Sequence, residues 1–272
     1  MIKYVNTTSC IFGPVKDISF ETHKIEMMML LVNLLKSASI GVGVVIASTG
    51  WNIGQMYQIV KNENNVDQGG SDCLYTKYIT RDDKNNNGLS TKIPKDLTLN
   101  DVMAELKSMK RSDIIKLFVA SSSPSKSSII IGDWNAVLLE NNGLVMTSIS
   151  QQITNNLFGN RNSWNGKKFQ SSGIGINRFQ TRNNDDNNII YNHNFDWEIK
   201  ESAFFGGETL SLDYSNYQGS LSPWKSMKDE VRVLGKTKDG KLIMIGMGCM
   251  AWSGGMLNAS PFCLFAKDEA IL

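Results

Sequence analysis

Asp196 and Glu198 are the residues whose types and spacing could most directly do chemistry. They stand two positions apart in a segment with strand-like alternation, and residues two apart lie on one face of a strand. A pair of carboxylates on one face is the arrangement with which glycosidases hydrolyse sugars, so a hydrolase is one hypothesis. His193 falls on the opposite face and cannot join the pair around a metal ion. At such positions, carboxylates that only contact solvent are more common than catalytic ones. The hydrolase is therefore a weaker hypothesis than the two non-enzymatic ones given below.

Two other motifs are incomplete. Part of a calcium-binding loop is present without the acidic residue that should close it, and the matching residues are Asp83, Asn85, Asn87 and Gly88. The run Gly246-Met247-Gly248 echoes a dinucleotide-binding loop, but no helix signal follows, so the glycines indicate close packing within a sheet. No G-x-S-x-G motif marks a serine nucleophile. We therefore predict that the protein is not an enzyme and that it binds no cofactor or metal.

The charge balance argues against one class of partner. The 272 residues carry 28 basic and 26 acidic side chains, and a net charge of +2 gives no basis for binding nucleic acid. The four cysteines form no C-x-x-C pair, and the first residues lack the pattern of a signal peptide. These two features predict free thiols in a reducing compartment.

Residues 26–49 are apolar enough to require a test for a membrane span. The segment is long enough to cross a bilayer, but Asn33 and Lys36 stand near its middle, where a lysine is costly. Its second half contains valines and glycines that suit a strand. We predict a buried helix followed by a buried strand, and no membrane span.

Residues 1–152 are predicted to form an α+β lobe built from two helix-strand-strand units. One helix lies within residues 17–37, and a second begins after a cap at Thr98 or Asn100. The triplet Leu-Lys-Ser occurs in both units, which marks either a duplication or a coincidence between short segments. The predicted strands are Val44–Ala47, Met56–Lys61, Ile114–Ala120, Ile129–Ile131, Ala136–Leu139 and Leu144–Ile149, the last after an Asn142-Gly143 hairpin.

Residues 153–272 are predicted to form a β-rich lobe, either as a second lobe or as part of one continuous domain. The segment Lys241–Trp252 is apolar on both faces, so we expect it to be a central strand or to face another subunit. A further hairpin is predicted at Asn165-Gly166, and the remaining predicted strands are Ile174–Phe179, Ile189–Ile199, Thr209–Tyr214 and Val231–Gly235. The fold class is therefore α+β, mostly antiparallel β, with two helices in the N-terminal half.

Several aromatic residues stand in asparagine-rich segments predicted to be exposed. Aromatic rings can stack on sugar rings while neighbouring amides bond to hydroxyl groups, or they can hold their own turns in place. Under the first interpretation the candidate glycan contacts are Trp134, Trp164, Tyr217 and Trp224.

Four stretches of the chain resemble small bacteriophage tail and virion structural proteins: YVNTTSC, GVGVVIASTGW, WNGKKFQSSGI and the apolar ending GGMLNASPFCLFAKDEAIL. The resemblance implies a non-enzymatic structural component of a virion, in the tail or tail-attachment assembly, put together in the host cytoplasm. Its partners would be identical copies and other virion proteins, and apolar patches would make the contacts. The predicted assembly contacts are Tyr4, Phe12, Ile245, Met247 and Leu272. The alternative is an adhesin or receptor-binding module that binds a host-surface glycan.

Overall fold

The structure is a computed structural model that describes residues 50–56, 58–59, 74–82, 88–125, 131–141, 143–181, 188–202, 204–251 and 254–267. Antiparallel strands dominate this part of the chain and helices accompany them, so the expectation of a mostly antiparallel α+β protein is confirmed. By internal contacts the chain divides into two units, Met1–Ile46 and Ala47–Leu272, and every described residue belongs to the second. No helix among the described residues is long and apolar enough to cross a membrane.

Eight strands form a closed barrel in which each strand pairs antiparallel with its neighbours in the chain. The barrel closes where Phe262 pairs with Leu138 and Ala266 with Trp134, so none of its eight strands has an open edge. A separate hairpin consists of β1 (Ile79–Asp82) and β2 (Gly88–Thr91). The barrel strands are β3 (Gly132–Leu138), β4 (Ser163–Phe169), β5 (Ile174–Gln180), β6 (Ile189–Glu201), β7 (Glu208–Asp213), β8 (Met227–Lys236), β9 (Leu242–Met250) and β10 (Ser260–Ala266).

The inside of the barrel is filled by side chains, as is usual when eight strands close. Large aromatic residues supply most of that filling, and glycines at the paired positions of neighbouring strands make room for two of them. A Cβ atom at Gly246 would stand 2.1 Å from the Phe262 ring, and one at Gly175 would stand 2.1 Å from the Phe195 ring. The expectation that the glycines near residue 246 permit close packing is therefore confirmed.

Two helices cover the outer face of β8, β9 and β10. The first, α1 (Leu99–Ser108), begins at the predicted cap: the Thr98 side chain accepts a hydrogen bond from the Asp101 amide, and the Asp101 carboxylate accepts one from the Thr98 amide. The second is α2 (Arg111–Ala120). Because these helices lie outside and the aromatic core lies inside, β9 is buried on both faces from Leu242 to Met247, as its apolar run predicts.

Three predicted strands are wrong because they are helical. Ile114–Ala120 lies in α2, Leu144–Ile149 lies in α3 (Gly143–Gln152), and the described residues of Met56–Lys61 are helical. A short apolar run fits either a buried strand or a buried helix, and only its packing partners decide between them. The described residues thus contain three ten-residue α-helices and the helical residues 50–56 and 58–59, where two helices were predicted. The predicted helix within 17–37 and the strand Val44–Ala47 lie outside the described residues.

The predicted hairpin at Asn165-Gly166 is also wrong. Both residues lie within β4, next to a shift in register opposite β5. A Cβ atom at Gly166 would stand 1.9 Å from the backbone oxygen of Trp134, so this glycine allows β3 to approach rather than turning the chain. Because β3 pairs with both β4 and β10, the barrel extends across residue 152, the boundary expected between two lobes.

Candidate functional site

A group of four polar side chains, which we call the lysine cluster, lies inside the barrel: Lys167, Asn177, Tyr214 and Asp229. The Lys167 ammonium donates to Asp229 Oδ2 at 2.8 Å, to Asn177 Oδ1 at 2.9 Å and to the Tyr214 hydroxyl at 2.6 Å. These three acceptors match the three protons of an ammonium group. The Tyr214 hydroxyl donates to Asp229 Oδ2 at 3.0 Å. The cluster is therefore a connected network in which the cation is fully satisfied.

The strands of the barrel place these groups together. Lys167 on β4 and Asn177 on β5 are cross-strand partners with inward-facing side chains, and Asp229 points inward from β8. Aromatic rings surround the ammonium: the Lys167 Nζ atom lies 5.3 Å from the centre of the Trp164 ring and 5.1 Å from that of Phe195. Such rings attract a cation through their π faces, so they offset part of the cost of burying it.

Burial shifts the protonation equilibria of the cluster. It lowers the pKa of Lys167, and the charge of Asp229 opposes that shift. It raises the pKa of Tyr214, and the Asp229 charge adds to this increase. An ammonium whose three protons are all bonded inside a closed barrel has no lone pair to attack a substrate. In this conformation the cluster is an internal ion pair.

One acceptor in the cluster lacks a partner. The second carboxylate oxygen of Asp229, Oδ1, is buried and accepts no hydrogen bond. It lies on the side of Gly248, where a Cβ atom would stand 2.9 Å away from it. An unpaired buried acceptor costs free energy, so this oxygen marks a position where a donor would be stabilising.

The buried ring of Phe158 joins the aromatic core beside the cluster, and we call it the Phe158 plug. It lies at the distal end, which we define as the end where β3, β5, β7 and β9 finish. Phe158 is the last residue of the π-helix Ile153–Phe158. Its ring stacks on His193 at a centroid distance of 4.1 Å and meets Trp224 at 5.1 Å and Tyr214 at 6.0 Å. Because Tyr214 also belongs to the lysine cluster, the plug packs directly against that cluster.

The backbone around the plug is unusual. Among the described residues, three that are not glycine have positive φ: Asn160 at 47°, Arg161 at 67° and His193 at 58°. Asn160 and Arg161 follow Phe158 after Gly159, and the Nε2 atom of His193 lies 2.7 Å from the Phe158 carbonyl oxygen. Left-handed backbone is disfavoured for residues with a Cβ atom and is concentrated at functional sites.

A second candidate site, which we call the acidic groove, lies on the outer face of β6 and β7. It encloses about 270 Å³. Asp196 pairs with Asp213 and Glu198 with Ser211 across the two strands, so the expectation that Asp196 and Glu198 share a face is confirmed. The groove is lined by Asp196, Trp197, Glu198, Ser211, Asp213, Ser215 and Asn216.

Each carboxylate of the acidic groove has a polar partner. Asp196 accepts hydrogen bonds at 2.7 Å from both Asn216 and Tyr217, one on each oxygen. Lys200 bonds to Glu198 at 2.6 Å, and Lys228 lies 3.1 Å from Asp213. No group of three acidic, histidine or cysteine side chains able to hold a metal occurs in the described part of the chain. Because both oxygens of Asp196 are occupied by the groove's own turn, the hydrolase hypothesis gains no support from this geometry.

Two titratable groups at the acidic groove are perturbed. Partial burial alone would raise the pKa of Asp213, but hydrogen bonds from Ser215 and the contact with Lys228 outweigh it, so the pKa is lowered. The hydrogen bond to Asp196 raises the pKa of Tyr217 by stabilising the protonated phenol.

The predicted glycan contacts separate into two groups. Trp134 is fully buried in the aromatic core inside the barrel, so the prediction that it is exposed is wrong, and Trp164 and Trp224 are partly buried against that core. Strand alternation explains this, because Trp134 and Trp164 occupy inward positions of β3 and β4. Tyr217 is on the surface, 37% exposed, beside the acidic groove.

The predicted assembly contacts are not on the described surface. Ile245 and Met247 are fully buried against the helices of their own chain, so they are not available to another copy. Of the two alternatives for Lys241–Trp252, a central strand or a contact with another subunit, the described residues Leu242–Met247 fit the first, because they are buried within their own chain. Tyr4, Phe12 and Leu272 lie outside the described residues.

Sequence reasoning missed Lys167, Asp229 and Phe158. Nothing in the sequence distinguishes Lys167 from the adjacent Lys168, which points outward. One signal was available for Asp229: in Met-Lys-Asp-Glu-Val-Arg-Val it alternates in step with Met227 and Val231, two inward-facing apolar residues.

Comparison with protein-family models, curated proteins and solved structures found no match to this chain. The fold and its sites define the class to which it belongs: a closed eight-stranded antiparallel barrel with a side-chain-filled interior and helices on one outer face. Barrels of this size serve many functions, so function must be argued from the surfaces and sites of this molecule.

Proposed function

We propose that this protein is a non-enzymatic structural subunit of a bacteriophage virion and that it assembles through the distal end of its barrel. The observation that carries the assembly role is a set of exposed leucines: Leu144 is 88% exposed, Leu157 is 66% exposed and Leu221 is 97% exposed. All three lie on connections at the distal end, the first two between β3 and β4 and the third between β7 and β8. Contact with a partner would remove these side chains from water.

The rest of the molecule favours the same end. A closed barrel offers no open strand edge for pairing with another chain, and α1 and α2 already cover the outer face of β8 to β10. The lysine cluster is sealed and the groove carboxylates have partners, which supports a role without catalysis. The resemblance of the sequence to tail and virion proteins supports the virion as the assembly, with identical copies and other virion proteins as partners.

Light scattering coupled to size-exclusion chromatography tests the assembly role. We expect the wild type to form an oligomer and the triple variant Leu144→Ser, Leu157→Ser, Leu221→Ser to be a folded monomer by circular dichroism. Ile131→Ser is the matched control, because Ile131 is 50% exposed but precedes β3 at the opposite end of the barrel. A wild type that stays monomeric at all concentrations and is absent from purified particles would contradict the proposal.

A second candidate function is glycan binding, and the acidic groove is the observation that favours it. Its carboxylate, amide and hydroxyl groups stand beside the exposed ring of Tyr217, a combination that can bond to sugar hydroxyls and stack on a sugar face. Glycan-array binding tests this function, and Tyr217→Ala should abolish the signal. Tyr191→Ala is the control, because Tyr191 is a comparably exposed tyrosine of β6 outside the groove. Equal loss in both variants would count against the groove.

A further inference from the structure

We propose that the distal end of the barrel is a binding site for a small uncharged aromatic compound that carries one hydroxyl or N–H donor. The Phe158 ring fills this site until such a ligand displaces it. The proposal adds a ligand site to the molecule and does not depend on assembly through the exposed leucines.

The first argument is the environment of the plug. The Phe158 ring is bounded by aromatic groups on several sides: it stacks on His193, and Phe179 meets its edge at 5.7 Å. Trp224 closes another side. A pocket with these walls accepts a flat six-membered ring in place of Phe158, because ring stacking and edge contacts would be kept.

The second argument is the segment that carries the plug. Phe158 ends a π-helix. This helix type is rare in proteins, and where it occurs it is often at a functional site. The next residues include Asn160 and Arg161 with left-handed backbone. This backbone is disfavoured, so withdrawal of Phe158 would let both residues relax and would offset part of the cost of opening the barrel.

The third argument defines the chemistry of the ligand. Tyr214, which contacts the plug, donates to Asp229 Oδ2. The other oxygen of this carboxylate, Oδ1, is buried on the side of Gly248 and accepts no hydrogen bond, whereas the three protons of Lys167 all have acceptors. A ligand that donates a hydrogen bond would satisfy Asp229 Oδ1, whereas a ligand acceptor would find no free proton on Lys167. Because Lys167 and Asp229 balance each other's charge, a charged ligand would place an unpaired charge inside the barrel, which is unfavourable. An uncharged donor such as a phenolic hydroxyl meets both conditions.

Phenol and toluene test the site, because they differ in a hydroxyl group against a methyl group of similar size. The indole N–H signals of Trp164 and Trp224 in nitrogen-15 NMR spectra report binding, since Trp164 donates to Asn177 of the cluster and Trp224 contacts the plug. The substitutions Trp164→Phe and Trp224→Phe assign the two signals. In the wild type we expect a saturable shift with phenol and a dissociation constant at least tenfold lower than for toluene.

Three variants separate this site from a cavity created by mutation. Phe158→Ala should tighten phenol binding at least tenfold and keep the tenfold preference over toluene. The double variant Lys167→Met, Asp229→Leu, which removes both charges, should lose the preference. Leu157→Ala is the control, because Leu157 is the exposed neighbour of Phe158 in the same π-helix and should leave the affinity unchanged.

Several outcomes would overturn the proposal. A wild type that shows no saturable shift with phenol would mean that the plug does not yield. Equal binding of phenol and toluene by Phe158→Ala would show only an apolar cavity. Should the double variant fail to fold, Gly248→Ala replaces it: its Cβ atom would crowd Asp229 Oδ1 and should weaken phenol binding, and an unchanged affinity would remove Asp229 from the site.

Discussion

The inside of the barrel and its outer face each contain a lysine–aspartate pair. One member of each pair comes from β8, where Lys228 and Asp229 are consecutive residues. Asp229 points inward from β8 and lies 2.8 Å from Lys167, while the preceding residue, Lys228, points outward and lies 3.1 Å from Asp213. The distances are similar, but the inner pair is buried and the outer pair is largely solvated. Burial therefore decides the energetic role of each pair, because water screens the outer charges and cannot reach the inner ones.

The same comparison shows how much depends on strand register. Successive side chains of a strand point to opposite faces, so a shift of one residue in β8 would exchange Lys228 and Asp229. Lys228 would then face Lys167 inside the barrel. The inner cluster thus specifies register in a way that the outer groove cannot.

The largest expected effect comes from breaking the inner pair. Asp229→Ala would leave the Lys167 ammonium buried without its counter-charge, and we expect a loss of about 3–5 kcal/mol in the free energy of unfolding. Asp213→Ala is the matched outer variant and should cost less than about 1 kcal/mol. Urea denaturation followed by circular dichroism measures both. Similar losses at the two positions would mean that burial does not separate the pairs.

Glycine substitutions compare the tightly packed interior of the barrel with its surface through packing instead of charge. A Cβ atom at Gly246 would overlap the Phe262 ring, and overpacking of this kind costs about 1–3 kcal/mol. Gly219 lies on the connection between β7 and β8 with no atom within 4 Å of an added Cβ. We expect Gly219→Ala to leave the thermal midpoint of unfolding nearly unchanged while Gly246→Ala lowers it. Calorimetry of the two variants would decide the point.

Removing both inner charges should be far milder than removing one. Lys167→Met, Asp229→Leu replaces the pair with apolar side chains of similar volume, and we expect the free energy of unfolding to stay within about 2 kcal/mol of the wild type. Urea denaturation of Lys167→Met and of Asp229→Leu alone completes the cycle that gives the coupling between the two residues. A double variant as unstable as Asp229→Ala would show that the surrounding Tyr214 and Asn177 also require the charges.

Acid should first affect the inner region, through His193. Burial beneath the plug lowers the pKa of His193 in the folded state, although its contacts with Phe158 and Gln218 oppose the shift. The unfolded chain then binds a proton more readily, so stability begins to fall as the pH drops below about 6.5, the ordinary value for histidine. Thermal midpoints from pH 7.5 to pH 5 should show this decline, and His193→Gln should reduce it. A decline of the same size in the variant would assign it to other groups.

The ion pair on the outer face should affect stability at lower pH than His193 does, and by a smaller amount. The pKa of Asp213 is lowered in the folded state, so its contribution to stability is present above about 3.9, the unfolded value, and is lost as the pH falls through the folded value. Asp213→Asn removes the titrating carboxylate. We expect the thermal midpoints of the wild type and this variant to converge between pH 4.5 and pH 2.5. The difference between them should be small throughout, because solvent screens the Asp213–Lys228 pair. A constant gap would exclude Asp213 as the cause.

Much of the barrel could be predicted strand by strand but not as a closed structure. The alternation of β6 correctly indicated an inward face at Phe195 and Trp197. It did not reveal the shift in register beside His193, which moves Tyr191 from the expected inward face to the exposed outer face. The free thiols expected of the cysteines are confirmed for Cys249 and Cys263, and Cys10 and Cys73 lie outside the described residues.

The sequence by itself determined what depends on neighbouring residues. Thr98 caps α1 because its partner Asp101 is three positions away, and the unbroken apolar run of β9 required burial on both faces. The tertiary structure decided everything that depends on distant strands. Lys167, Asn177, Tyr214 and Asp229 come from different segments, and their convergence follows from the closure of the barrel, which no local pattern encodes. For the same reason Trp134 turned inward and Ile114–Ala120 became a helix: the free energy of each depends on its packing partners, which only the folded chain supplies.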